Sequence, residues 1–142
     1  MSAAPKSVLF VCSLNAVRSP IAEGLTRALY GDALRDDSAG LRAGSADGFA
    51  MAVMMELGIY ITNHVPKSFE ELEQVDFDLV IALSSEAYAK AQAFFRHTDA
   101  TIEFWPTDDA TCIEAAREQK LVAYRAVRDG LAARIKQRFG GM

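Results

Sequence analysis

Cysteine is scarce in this chain: Cys12 and Cys112 are the only two in 142 residues. Two cysteines do not make the disulfide framework of a small secreted domain, so in a reducing compartment a lone cysteine at a strand end reads as reactive rather than structural. Histidine is equally rare, with His64 and His97 alone, and no group of Cys, His and acidic residues has metal-ligand spacing. No metal and no cofactor is expected. No apolar run approaches the length of a bilayer crossing, and the chain does not open on a basic segment followed by an apolar stretch. The expectation is a cytoplasmic protein with no membrane partner. An excess of basic residues is missing too: 15 Lys and Arg stand against 19 Asp and Glu, for a net charge of -4. That balance argues against nucleic acid as a partner, although a single phosphate site can still be locally positive. There is no Pro/Gly-rich linker, internal repeat or low-complexity segment.

What is present suits one compact domain over residues 1–142: 51% of the residues are hydrophobic, enough for a substantial core. The expected oligomeric state is a monomer or weak homodimer. Ser7 to Val11 is continuously apolar after its first residue, as in a central parallel strand covered on both faces. A helix is expected from Pro20 to Tyr30, stopping at Gly31, with Ser19 at its N-cap and Ile21, Leu25 and Leu29 on its apolar face. A weak strand over Asp36 to Leu41 precedes a helix from Phe49 to Leu57 closed by Gly58, whose methionines read as core filling. Next come a loop from Asn63 to Lys67, a short acidic helix over Phe69 to Gln74, a strong strand from Phe77 to Leu83, and an alanine-rich helix from Ser85 to Arg96. Thr101 to Trp105 is the last strand, and Pro106 to Ala110 a loop at its carboxyl end. Thr111 with Glu114 has the spacing of a capping box, so the final helix is expected to begin at Thr111 and end at Gly140 and Gly141. Strands alternating with helices predict an α/β fold: a doubly wound, four-stranded parallel sheet with helices on both faces and ligands at the carboxyl ends of the strands.

One loop sits at such an end. Cys12-Ser13-Leu14-Asn15-Ala16-Val17-Arg18 joins the first strand to the first helix, so its backbone N–H groups lack intrahelical partners and face a positive helix dipole. An anion fits there. The same amides and the Arg18 guanidinium favour the charged form of a thiol at position 12, and Arg18 offers a planar fork matched to two oxyanion oxygens. The phosphate-binding candidates are therefore Ser13, Leu14, Asn15, Ala16, Val17 and Arg18, with Cys12 as nucleophile.

The run from Cys12 to Pro20 resembles the signature of the low-molecular-weight protein tyrosine phosphatases, whose fold is shared with one class of arsenate reductases. The resemblance covers nearly the whole chain, through Ser38-Ala39-Gly40, the strand ending at Leu83, and the segment Trp105 to Thr111. It implies hydrolysis of a phosphomonoester through a phosphocysteine on Cys12, with Arg18 and the loop amides holding the equatorial oxygens. The implied substrate is a phosphotyrosine protein or a small aryl phosphate. Ser19 is placed to donate a hydrogen bond to the thiolate, and Asn15 looks like the family's loop-shaping asparagine. Asp109, or else Asp108, matches the acid that protonates the leaving group.

The chain departs from that pattern in four places. Leu14 stands where the family usually has glycine, at a cost of roughly 1 kcal/mol if that position needs positive φ. Val17 replaces the family's second loop cysteine. Ala110 replaces the proline after the acid, and Thr111 stands where aromatic residues often follow, leaving Phe49, Tyr88 or Trp105 as pocket walls. Cys112 reads as a small buried residue at a helix start rather than a resolving thiol. Two alternatives stay open: an arsenate reductase using a small-thiol reductant, since Ala82 to Phe95 lacks the further cysteines of the thioredoxin-coupled kind, and a catalytically impaired phosphate-binding module.

Overall fold

The computed structural model describes residues 4–140; the expected helix end at Gly141 lies outside them. Four strands, β1 (Ser7–Cys12), β2 (Arg35–Gly40), β3 (Leu79–Ala82) and β4 (Thr101–Phe104), form one parallel sheet in the order β2-β1-β3-β4. β1 is central and every one of its residues is buried. Its pleat divides the core: Val8, Phe10 and Cys12 enter one apolar layer, Leu9 and Val11 the other. The expected α/β sheet with both faces covered is the observed architecture.

The first layer is closed by α1 (Arg18–Tyr30), α2 (Gly48–Met55) and α4 (Arg117–Phe139), which supply Ile21, Leu25, Val53, Leu131 and Ile135 around Phe10. Phe10 is wholly buried and stacks edge-on against Trp105; burial of one such ring contributes about 2–3 kcal/mol. The opposite layer is closed by α3 (Ser85–Phe94) and a short turn at Phe69–Glu71, where Phe69, Phe77, Ala91 and Phe95 pack.

Local chemistry sets the helix starts. Asp47 accepts from the Ala50 amide to open α2, and Ser84 accepts from the Ala87 amide to open α3. Two expected starts are corrected. α1 begins at Arg18, with Val17 at the N-cap and no side-chain cap, because the Ser19 hydroxyl is turned inward to other partners. α4 begins at Arg117, not Thr111: Gln119 reaches back to the Ala116 amide, while residues 110–112 form a separate single turn capped by Asp109. Glu114 therefore makes no box with Thr111. Smaller corrections follow from burial. The acidic helix after Ser68 is one turn long, Leu29 is 42% exposed, and of the three methionines on and beside α2 only Met54 is fully buried. No described helix is long and apolar enough to cross a membrane.

Candidate active site

The loop after β1 turns its polar backbone in two directions. The carbonyls of Cys12, Ser13 and Leu14 accept from the amides of Leu41, Arg42 and Gly44, and the Asn15 carbonyl faces His64 Nε2 at 3.0 Å. The amides of Ser13 to Val17 donate to no backbone carbonyl among the described residues. A loop with its acceptors spent outward and its donors unspent is an anion nest. Gly40 permits this arrangement, since a Cβ there would lie 2.7 Å from the Asn15 amide nitrogen.

The bend of the loop falls on Asn15, which has φ of 55° and is fully buried. Leu14 is therefore not in the left-handed region, and the steric cost expected for it is absent; it is 38% exposed and packs over Gly44. Asparagine tolerates such a φ, and here its amide is fully used. Nδ2 donates to Ser19 Oγ and Ser38 Oγ, each at 2.9 Å, while Oδ1 accepts from the Lys67 amide at 2.9 Å. Ser38 passes its own hydrogen to Glu23 Oε1 at 2.6 Å. Ser19 Oγ accepts from Asn15, and Cys12 Sγ lies 2.9 Å from the same oxygen. With the sulfur ionised, the Ser19 hydroxyl is the donor that meets it.

Arg18 spans two loops. Its Nη1 donates to the Thr107 carbonyl at 3.1 Å, and its Nη2 lies 3.4 Å from Ser13 Oγ and 3.9 Å from Asp109 Oδ2. The guanidinium thus brings the acid-bearing loop, at the carboxyl end of β4, against the nest at the carboxyl end of β1. Asp109 Oδ1 accepts from the Thr111 amide at 3.0 Å and its hydroxyl at 2.5 Å; Cys112 Sγ lies 3.6 Å from Oδ2. Burial pushes this carboxyl up, but the Thr111 donors, Arg18 and Cys112 outweigh it and hold the group below the usual carboxylate range. Asp108 is exposed and stands outside this set of contacts.

Cys12, Arg18, Ser19 and Asp109 are therefore gathered as the sequence suggested. Cys112 is a correction: it is exposed rather than buried, since the short turn before α4 projects it outward. Of the three proposed pocket walls, Tyr88 stacks on Phe104 on the other side of the sheet, Trp105 is core, and Phe49 packs half-buried against Tyr124. Sequence reasoning gave no role to Glu23 or His64, put Ser38 only in a family-like turn and Lys67 only at the border of the entrance; in the structure the four together hold Asn15. Their spacing carries no local signal, because the bonds join α1, β2 and the segment before Phe69.

The model of the family described as "Low molecular weight phosphotyrosine protein phosphatase" matches residues 7–137. The chain belongs to that family. An arsenate reductase of Bacillus subtilis is 30% identical to this phosphatase-family chain over 132 residues, covering 93% of the chain and 94% of that protein. A low-molecular-weight protein tyrosine phosphatase structure from T. tengcongensis superposes with a TM-score of 0.74 at 28% identity, covering 92% and 95%. A tyrosine phosphatase of Erwinia amylovora superposes with a TM-score of 0.75 at 22% identity, covering 98% and 93%, and shares the fold. The family is enzymatic, with both phosphatases and arsenate reductases among the similar proteins.

Proposed function

We propose that this family member is a phosphomonoester hydrolase of the tyrosine-phosphatase type that works through a phosphocysteine on Cys12. The observation that carries the reading is the nest: five uncommitted amides beside a sulfur that faces a hydroxyl donor, with Arg18 at its edge. Cys12 thiolate attacks phosphorus and the bond to the leaving oxygen breaks. Arg18 and the amides of Ser13 to Val17 hold the equatorial oxygens as charge shifts. Ser19 donates to the sulfur, stabilising it as nucleophile and again as leaving group. Asp109 exchanges the proton: it delivers one to the departing oxygen, then takes one from the water that attacks the phosphocysteine. Asn15 acts through the loop's shape. The substrate is an aryl phosphate or phosphotyrosine protein, and the compartment proposed is the cytoplasm.

Arsenate reduction is the second reading, favoured by the identity to named arsenate reductases. It needs a further thiol to release the reduced arsenic, and since residues 82–95 contain none, that thiol would come from a small-molecule reductant. The binding-module reading loses its main motive with Leu14 free of strain. Turnover of para-nitrophenyl phosphate, with phosphate and arsenate-dependent thiol consumption followed in parallel, tests the proposal: ester hydrolysis abolished by C12S supports it, and thiol oxidation without ester hydrolysis overturns it.

A further inference from the structure

The acid of this site is held by more donors than a proton donor needs. Asp109 Oδ1 takes both the amide and the hydroxyl of Thr111, and Oδ2 faces the Cys112 thiol and the Arg18 guanidinium. Each of these favours the carboxylate over the carboxylic acid. From α4, Tyr124 stands on the other side, its hydroxyl donating to Asp47 Oδ2 at 2.9 Å, and its phenol is raised by burial and then by Asp47 and Asp109. Tyr124 is thus a neutral neighbour, Asp47 is its hydrogen-bonded anion, and Asp108 adjoins Asp109 in sequence. Three of these contacts, from the Thr111 amide, the Thr111 hydroxyl and the Cys112 thiol, are supplied by the single turn 110–112 that follows the carboxyl.

We propose that Thr111, with Cys112 as a weaker second donor, is a specificity-determining positioning residue that keeps Asp109 ionised in the free protein and so confines turnover to phosphomonoesters with weakly basic leaving groups, aryl phosphates above all. The inference rests on the phosphatase reading. The clamp lowers the fraction of Asp109 that carries a proton for the leaving oxygen, so in the first step an aryl oxide, which can also depart as the anion, is favoured over a more basic alkoxide. In the second step the same ionised carboxylate is already the base that takes the proton from water. The clamp favours breakdown of the phosphocysteine and penalises its formation from poor leaving groups.

The test compares wild type, T111V, T111S and C112A by kcat against pH for para-nitrophenyl phosphate, phenyl phosphate and an alkyl phosphate, together with an NMR titration of the Asp109 carboxyl in the free proteins. Thr111→Val removes the hydroxyl donor and keeps the amide. We expect the Asp109 midpoint in T111V to rise by roughly half to one pH unit, and the phenyl-to-nitrophenyl ratio of kcat to rise roughly fivefold, the equivalent of one neutral hydrogen bond. T111S restores both, and C112A shifts both in the same direction by less. KM is unchanged throughout. A T111V protein whose titration and leaving-group dependence superimpose on those of an active wild type overturns the clamp alone. A shifted titration with an unchanged leaving-group dependence overturns the specificity role. Failure of wild type to hydrolyse any of the three esters overturns the phosphatase reading instead.

Discussion

The nest after β1 and the acid-bearing loop after β4 meet at one site but are built to different standards. In the nest, Cys12, Asn15 and Ser19 are 2%, 0% and 0% exposed, and the loop's carbonyls and side chains are tied into α1, β2 and the segment before Phe69. The acid loop follows an edge strand with exposed ends, and it borders a groove of about 600 Å³ that reaches Ile113, Val127 and Arg134. Its polar contacts are mostly short-range, from Asp109 to Thr111 and Cys112. Cys12 is over-determined by its surroundings, whereas Asp109 is held by its own turn and by Arg18. In the proposed phosphatase, which would present one geometry to phosphate and several to leaving groups, that division is an advantage.

The comparison breaks most directly at the sulfur. C12S is expected to lose activity on para-nitrophenyl phosphate by roughly 10⁴-fold or more while still binding phosphate, as seen by calorimetry; a loss under tenfold would move the chemistry away from the nest. D109N is expected to cost roughly 10²-fold for phenyl phosphate and less for the nitrophenyl ester, in steady-state assays. An equal loss for both esters would mean that the loop after β4 only shapes the pocket. Replacing Asn15 sharpens the contrast by removing three side-chain hydrogen bonds, two of them buried, and an αL-tolerant residue together: N15A should lower stability by about 2 kcal/mol in denaturant titration. L14G, one residue earlier, should cost under about 1 kcal/mol. The smallest effect lies far from both loops. Glu56 bonds Arg125 and Arg128 between α2 and α4, and those guanidinium contacts bring its carboxyl down to about 2. A lowered folded-state value means a contribution present above 4.5 and lost as pH falls toward 2. E56Q should therefore lower Tm slightly near neutrality and leave it unchanged near pH 2, which flattens the decline of Tm with acid across that window.

The two halves were unequally legible in the sequence for the same physical reasons. A continuous apolar strand, a loop and a helix with Ile21 and Leu25 inward are local patterns, so the nest could be placed from residues 7 to 25 alone. Which loop residue takes positive φ was left open between Leu14 and Asn15, because the bend at Asn15 is fixed by bonds to Ser38 and Lys67 that no spacing reveals. At the other loop, Thr111 and Glu114 imitate a helix start. Asp109 captures the Thr111 amide first, the helix is delayed to Arg117, and Cys112 is thrown to the surface.

Arg18 has five N–H donors, and one already serves the Thr107 carbonyl while another approaches Ser13. A tetrahedral guest claiming a bidentate grip must renegotiate those attachments, and with them the strap that joins the edge of the sheet to its centre. In the proposed reaction, occupancy of the cradle would thereby reach the far rim through a single side chain, before any covalent bond has changed.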